Sequence, residues 1–301
     1  GELQKDIAEY QKILGSEQRQ RSMVLRELDE VANEFGSPRR THIMNADDVV
    51  VIDDSPIAAV TSGDGDGSLG DIATLVTLST SGLLGRQASD AEFVAKPGRH
   101  DVLAVSVDTT AFSQVFAVTD RGRLLSVRVR DIPEMVRGSR GASVTEMFAL
   151  GRGERVVGLS GHADAPLAII TKAGIAKRIE GAVIGATRSG NPVINLKDDD
   201  RVIAAFLAPD DAEFAMLATD GQVLRTSARG VSVQGAAAGG VAGMKLKGGA
   251  TIVAAGLIEF GTLVVGVTDE GTAKVTDGAE IPSKGRATGG VRVLRMKGFE
   301  T

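Results

Sequence analysis

Basic side chains recur in the sequence at nearly constant intervals, each a few positions after a glycine. Those that follow a predicted tight turn are Arg86, Arg123, Arg128, Lys177, Arg178, Arg225 and Lys274, and those in later loops are Arg137, Arg140, Arg188, Lys284 and Arg286. Cations repeated once per structural unit would lie along one rim, spaced to contact successive phosphates of a curved polyanion. For any single residue, an ordinary solvated turn charge is the alternative interpretation.

The formal net charge of −5 conceals a strong asymmetry along the chain. Residues 42–120 carry 3 basic and 12 acidic side chains, whereas residues 121–192 carry 12 basic and 6 acidic ones. Binding of a polyanion depends on the field within a Debye length, roughly 8–10 Å, and not on the total charge. We therefore predict that the middle of the chain binds DNA and that the segment before it repels DNA.

Three patterns resemble a dinucleotide site, a calcium loop and a histidine metal site, but the residues around each one do not fit that chemistry. Residues 65–70 satisfy the glycine spacing of a dinucleotide site, but a strand-like segment follows where that site needs a helix. The acidic loop that follows residue 63 lacks the ligand spacing of a calcium loop, and His42, His100 and His162 have no ligand-spaced partners. We predict no catalytic residue, no metal site and no cofactor in this chain.

The first 35 residues show helical periodicity. Apolar side chains recur at helical spacing over residues 3–14 and again over residues 24–35, which predicts helices over residues 2–14 and 16–35. Gly15-Ser16 separates them, and Gly36-Ser37-Pro38 ends the second. No apolar run is long enough to span a membrane, and the chain has no cysteine, which favours a cytoplasmic location.

After Pro38 the periodicity changes to two-residue alternation within a repeat. Five segments share an apolar strand, a tight glycine turn and a second strand, with the turns at Gly82, Gly122, Gly174, Gly221 and Gly271. About 20 residues after each turn, a valine is expected to open another strand: Val102, Val144, Val193, Val241 and Val291. A further strand precedes the next hairpin, so each unit supplies about four strands, as in a propeller blade.

These observations predict a mainly β protein with two regions. A helical stub covers residues 1–41, and a single propeller domain covers residues 42–301. The propeller is expected to have five blades, or six with the last one truncated.

The junction between helix and repeats resembles a known family. Residues 34–41 read Glu-Phe-Gly-Ser-Pro-Arg-Arg-Thr, and the loops at residues 239–246 and 285–291 are rich in glycine beside Val241 and Val291. This combination resembles the C-terminal region of the A subunits of bacterial gyrase and topoisomerase IV. The resemblance implies the end of a coiled coil followed by a β-pinwheel, in which blades exchange an outer strand and duplex DNA bends around a basic rim. It also implies that the parent protein is a homodimer and that its partner is an ATP-hydrolysing B subunit.

Two features limit what the resemblance implies. Type IIA topoisomerases cleave DNA through a tyrosine, but Tyr10 is the only tyrosine here and lies outside any motif resembling that site. We therefore predict that this chain is not catalytic and that Tyr10 packs on a helix. The family's wrapping loop, Gln-(Arg/Lys)-Arg-Gly-Gly-Lys-Gly, is not matched by residues 94–101, and its nearest echo at residues 234–240 has no basic residue. This departure favours a parent like topoisomerase IV over one like gyrase.

Two other classes of function stay open at this stage. A protein-interaction propeller acting as a scaffold would fit the repeats and the acidic total charge, without binding DNA. A propeller enzyme would need an acid–base pair directed toward the central channel, and no repeated pair of that kind is present. Salt-dependent binding of duplex DNA separates the DNA-binding hypothesis from the scaffold.

Overall fold

The computed structural model describes residues 1–35, 72–90, 101–135, 141–161, 164–197 and 199–295. The chain divides into two units, residues 1–60 and 61–301. The boundary predicted between residues 41 and 42 lies outside the described residues and stays a prediction.

The first unit contains two helices, α1 (Glu2–Leu14) and α2 (Glu17–Phe35). Both helices predicted from the periodicity are therefore confirmed. Gly15 ends α1, and its backbone N–H donates to the carbonyl of Gln11. Neither helix contains a buried residue, and Tyr10 is 61% exposed.

The second unit is mainly β. Its strands are, in chain order, β1 (Ala73–Ser79), β2 (Leu83–Ala88), β3 (Leu103–Thr110), β4 (Gln114–Thr119), β5 (Leu124–Arg128), β6 (Ala142–Ser143), β7 (Val156–Ser160), β8 (Leu167–Thr171), β9 (Ile175–Ile179), β10 (Val202–Leu207), β11 (Glu213–Ala218), β12 (Gln222–Ser227), β13 (Val241–Ala242), β14 (Ile252–Leu257), β15 (Leu263–Val267), β16 (Ala273–Asp277) and β17 (Val291–Arg292). Two short helices, α3 (Val144–Phe148) and α4 (Gly181–Ala186), and three 3-10 turns, Val129–Asp131, Ala228–Gly230 and Gly278–Glu280, connect them.

The strands form five antiparallel sheets, which we number in chain order. Their strand orders are β3-β1-β2-β6, β7-β4-β5, β10-β8-β9-β13, β14-β11-β12-β17 and β15-β16. The innermost strands lie against one another, since β7 and β14 both contact β10. The sheets are thus arranged around an axis like the blades of a propeller. Whether the complete domain has five or six blades stays a prediction.

Neighbouring sheets exchange their outermost strands. The outer strand β6 of the first sheet comes from the chain segment after the hairpin of the second sheet, and β13 and β17 repeat this for the third and fourth sheets. In the second sheet the same position holds only a bridge between Arg123 and Pro192. Proline has no N–H to donate to a strand ladder, which explains why no strand forms there.

The predicted turns and further strands are confirmed. All five turn glycines have positive φ angles, between +74° and +82°, which side chains other than glycine rarely adopt. The further strand predicted before the next hairpin is present as β7, β10 and β14, which are inner strands.

The prediction for the five valines is only partly right. Val241 and Val291 open the short outer strands β13 and β17. Val144 instead begins α3, and Val193 follows the bridge at Pro192 without joining a strand. Val102 directly precedes β3, which begins at Leu103 and pairs with β1, so the strand predicted there is present within one residue.

Apolar side chains fill the space between consecutive sheets. Leu84 and Leu125 pack between the first and second sheets, Leu124 and Ile169 between the second and third, and Ile170 and Phe214 between the third and fourth. Full burial of each such side chain contributes about 1.5–3 kcal/mol. This packing fixes the sheets, and with them the loops along the outer edge.

A substitution at Gly290 measures how closely the chain before the exchanged strand β17 approaches β12. It has a φ of +71°, and a Cβ there would lie 2.3 Å from the carbonyl oxygen of Val223. We expect Gly290→Ala to lower the free energy of unfolding by about 2 kcal/mol or more, through backbone strain and overpacking. Gly285→Ala, in the same loop with nothing within 4 Å, is the control. Equal thermal midpoints for the two variants in calorimetry would contradict the close approach.

Candidate nucleic-acid interface

Three of the predicted DNA-binding arginines are instead bonded between sheets. Arg86, Arg178 and Arg225 each stand four residues after a turn glycine, and each donates to backbone carbonyls near the 3-10 turn of the next sheet. The acceptors are Ile132 for Arg86, Ala228 and Val231 for Arg178, and Gly278 and Ile281 for Arg225. We call these three the inter-sheet arginines.

The inter-sheet arginines are also paired with carboxylates. Nη2 of Arg178 lies 2.5 Å from Oδ1 of Asp210, Nη2 of Arg86 lies 3.7 Å from Oε2 of Glu134, and Arg225 is paired with Glu213. The Arg178 side chain is only 2% exposed. The prediction that these residues lie on an exposed rim is therefore wrong for Arg178, and the charges of Arg86 and Arg225 are already partnered.

Lys177 is fully buried. Its Nζ donates to the carbonyls of Val193, Ala236 and Ala238 at 2.7, 2.9 and 2.8 Å. Burial lowers the pKa of Lys177 to about 8, so the ammonium stays charged at neutral pH. Contrary to its predicted place on the rim, this side chain cannot reach a phosphate directly.

Arg123 pairs with a buried carboxylate. Its Nε and Nη2 donate to the two carboxylate oxygens of Glu154 at 2.8 and 2.6 Å, and the Glu154 side chain is 1% exposed. The hydrogen bonds from Arg123 lower the pKa of Glu154 to about 2. This pair joins β5 to the segment before β7, and it leaves no free positive charge.

The remaining predicted residues are exposed or lie outside the described residues. Arg128 is exposed and donates to Asp131. Lys274 is exposed on β16, and Arg188 is exposed in the loop that runs along β5. Lys284 and Arg286 are exposed and donate only to backbone carbonyls, those of Gly290, Gly230 and Ala242. Arg137 and Arg140 are the two that lie outside the described residues.

One group of exposed cations follows the outer strands and the loops before them. We call it the outer-edge cations: Arg188, Lys284, Arg286 and Arg292. The structure pairs none of the four with a carboxylate among the described residues. Arg292 lies in β17 opposite Gln222 and was missed from the sequence, although two-residue alternation from Val291 could have indicated it.

A second group of exposed cations lies at the other end of the hairpins, beside the turn glycines of the second and third sheets. We call it the turn-end cations: Arg152, Arg155, Lys172 and Lys197. Nearby, Nη1 of Arg201 lies 2.9 Å from Oδ2 of the buried Asp120. Asp199 and Asp200 stand in the same segment, so the positive charge here is diluted by carboxylates. The outer edge is therefore the more favourable place for a polyanion.

The first sheet offers little to an anion. Arg86 is its one basic residue within the described range, and that side chain is bonded internally. Asp101 belongs to the acidic segment that was predicted to repel DNA, but its side chain is buried and accepts hydrogen bonds from Ser81 and Thr80. The hydrogen bond from the Ser81 side chain is the main cause that lowers the pKa of Asp101, to about 2. Asp90 is exposed just after β2, and Asp108 is exposed on the inner strand β3.

Two further findings concern the described ranges. No group of three or more His, Cys, Asp or Glu side chains there is arranged to hold a metal ion. Within the same ranges, no helix is both long and apolar enough to cross a membrane.

The repeats match a known family model, described as the DNA gyrase C-terminal domain, beta-propeller. The match covers residues 113–160, 166–209, 213–259 and 263–298, more than half of the chain. The chain belongs to this family. The four matched segments contain the hairpins of the second to fifth sheets, and β1, β2 and β3 of the first sheet lie before them.

Relatives and solved structures agree with this assignment. The chain is 31% identical over 283 residues to the DNA gyrase A subunit of Aminobacterium colombiense and 28% identical over 291 residues to that of Mycobacterium tuberculosis, covering 91% of this chain in both cases. It spans about a third of the length of these relatives, 34% and 33%.

Two solved structures support the fold. The C-terminal domain of DNA topoisomerase IV matches with a TM-score of 0.66 and 24% identity, covering 77% of this chain and 76% of the other. The DNA gyrase A C-terminal domain matches with a TM-score of 0.54 and 21% identity, covering 73% of this chain and 76% of the other. At these identities the likeness concerns the fold alone.

Proposed function

We propose that this domain binds and bends duplex DNA without sequence specificity, as part of the A subunit of a type IIA topoisomerase. The observation that carries the proposal is the set of outer-edge cations, which are exposed and unneutralised on a fold whose relatives are gyrase A subunits. Phosphate contacts by such cations supply affinity without reading bases.

The form of the nucleic acid follows from two further features. The longest helix described in residues 72–295 is α4, with 6 residues, too short to serve as a recognition helix in the major groove. Phe112 and Phe260 are the exposed aromatic residues described there, too few for a platform on which single-stranded bases stack. Both features favour the backbone of a duplex as the ligand.

The parent protein is expected to contain two A subunits and to act with a B subunit that hydrolyses ATP. This chain would then present a DNA segment for strand passage and perform no cleavage itself. We further propose that the parent resembles topoisomerase IV more than gyrase. The acidic first sheet, whose described arginine is bonded internally, supports this preference.

The rival function is a protein scaffold. One observation favours it, because the fifth sheet exposes the apolar side chains of Leu263, Val265 and Val267. An apolar partner surface could cover them. It would not explain the outer-edge cations.

The test is duplex binding by the 301-residue chain, followed by fluorescence anisotropy. With about four to six phosphates contacted, log K should fall against log salt with a slope of roughly −4 to −5. Replacing all four outer-edge cations with Glu should weaken binding at least about a hundredfold. The control replaces the four turn-end cations with Glu, an equal change of net charge. Loss of binding in the control alone would refute the outer edge as the DNA-binding surface. If the unaltered chain does not bind duplex DNA, the scaffold function is favoured.

A further inference from the structure

The loop before the outer strand of the third sheet contributes none of the outer-edge cations, and the outer-edge cation bonded to that strand, Arg286, comes from the loop before β17 and donates to the carbonyl of Ala242. The second sheet has Arg188 and the fourth has Arg292, but the loop before β13, residues 234–240, reads Gln-Gly-Ala-Ala-Ala-Gly-Gly and carries no charge. Duplex DNA that follows the edge from the second to the fourth sheet must pass this loop. Side chains of this composition cannot hold a phosphate there.

The backbone of the loop is oriented by a buried charge. The carbonyls of Ala236 and Ala238 both accept hydrogen bonds from the ammonium of Lys177, at 2.9 and 2.8 Å. The described residues contain no cis peptide bond. In a trans peptide the N–H of the next residue points opposite to the carbonyl. The N–H groups of Ala237 and Gly239 are therefore directed away from Lys177.

These two N–H groups are available to a ligand. Ala237 and Gly239 are both exposed, and neither N–H has a protein acceptor among the described residues. Their neighbours are satisfied, because Ala238 donates to the carbonyl of Gly235 and Gly240 donates to the side chain of Gln234. Backbone N–H groups that face the same side of a loop can together bind an anion, even when the N–H between them is bonded elsewhere.

The charge behind the loop strengthens this site. Lys177 has carbonyl oxygens as its acceptors and no carboxylate partner in the described residues, so its positive charge is not cancelled. A buried cation acts through a lower effective dielectric than a solvated one, and it polarises the peptides that accept its hydrogen bonds.

We infer that residues 234–240 bind a DNA phosphate through the backbone N–H groups of Ala237 and Gly239, with Lys177 as the positioning residue behind them. This inference rests on the proposed function and extends it. The third sheet then supplies a phosphate contact between Arg188 and Arg292, although its loop has no basic side chain.

The first test follows isotopically labelled 301-residue chain by NMR as duplex DNA is added. The amide protons of Ala237 and Gly239 should shift downfield as DNA is added. The dissociation constant fitted to these shifts should equal the one that anisotropy gives. The pKa of Lys177, followed through its Cε resonance, should rise on binding, because a bound phosphate stabilises the ammonium. A merely structural lysine would show no such rise. Unmoved amides and an unchanged pKa, with duplex bound, would overturn the inference and leave the proposed function standing.

The second test uses two variants with the same charge change. Ala237→Glu should weaken duplex binding about fivefold or more, through repulsion at the phosphate position. Ala173→Glu is an exposed substitution on the same sheet, at its turn end, and should change binding less than about twofold. Equal affinities for the two variants would refute the site. If the unaltered chain binds no duplex, the proposed function fails and the inference fails with it.

Discussion

Arg178→Met is expected to lower the free energy of unfolding of the β unit by about 3–5 kcal/mol. The guanidinium is 2% exposed and donates to the carbonyls of Ala228 and Val231 in the next sheet. Methionine fills much of the same volume, but both carbonyls then lose the donor that Arg178 supplied. Since a domain is stable by only about 5–15 kcal/mol, the loss is a large fraction of the total.

Arg229→Met is the matched control. Arg229 lies next to Ala228 in the same 3-10 turn and is exposed, and its loss removes an equal charge. Its effect should stay within about 0.5 kcal/mol. Calorimetry or urea unfolding followed by circular dichroism measures both variants. A cost for Arg178→Met no larger than that of Arg229→Met would show that the inter-sheet bonds contribute nothing to stability.

The sequence misled on Arg178 for a physical reason. Repetition at blade period indicates that a residue occupies an equivalent position in each sheet, but it does not say whether that position faces solvent or the next sheet. Arg86, Arg178 and Arg225 repeat because each closes the contact to the following 3-10 turn. The sequence contained one indication of this role. The second sheet has Ser126 in place of the arginine, and in the sheet that follows it, α4 stands where the other sheets have the 3-10 turn that accepts the arginine's hydrogen bonds. If the repeated arginines bound phosphates, there would be no reason for the arginine to be missing where the next sheet lacks the 3-10 turn.

The features that the sequence predicted correctly are local ones. Glycine at position 174 predicts the tight turn, because glycine readily adopts the positive φ found there, and apolar spacing within a few residues predicts the helix Glu2–Leu14. The outer strands are only two residues long and pair with a neighbouring sheet, so their register depends on distant packing. Val144 and Val193 were therefore misassigned. The bonds from Lys177 to residues 16 to 61 positions away are invisible to pattern analysis for the same reason.

The largest functional effect is expected in the parent enzyme. The full A subunit, supplied with its B partner and ATP, should relax and decatenate DNA but introduce negative supercoils at least about tenfold more slowly. Chiral wrapping requires that DNA be held from the first sheet onward. Each phosphate that lies near an unneutralised carboxylate, such as Asp90, instead adds repulsion. Arg86 cannot offset it, because its guanidinium is bonded to Ile132 and paired with Glu134.

Charge reversal at Asp90 sharpens this experiment. Asp90→Lys should raise supercoiling relative to decatenation, because the first sheet would then repel the duplex less. The control is Asp211→Lys, an equal charge change at an exposed carboxylate of a later segment, which should leave the ratio unchanged. Relaxed plasmid and linked circles serve as substrates, and each reaction without ATP is the blank. Efficient negative supercoiling by the unaltered enzyme would refute the preference, because DNA would then be held continuously despite an acidic first sheet.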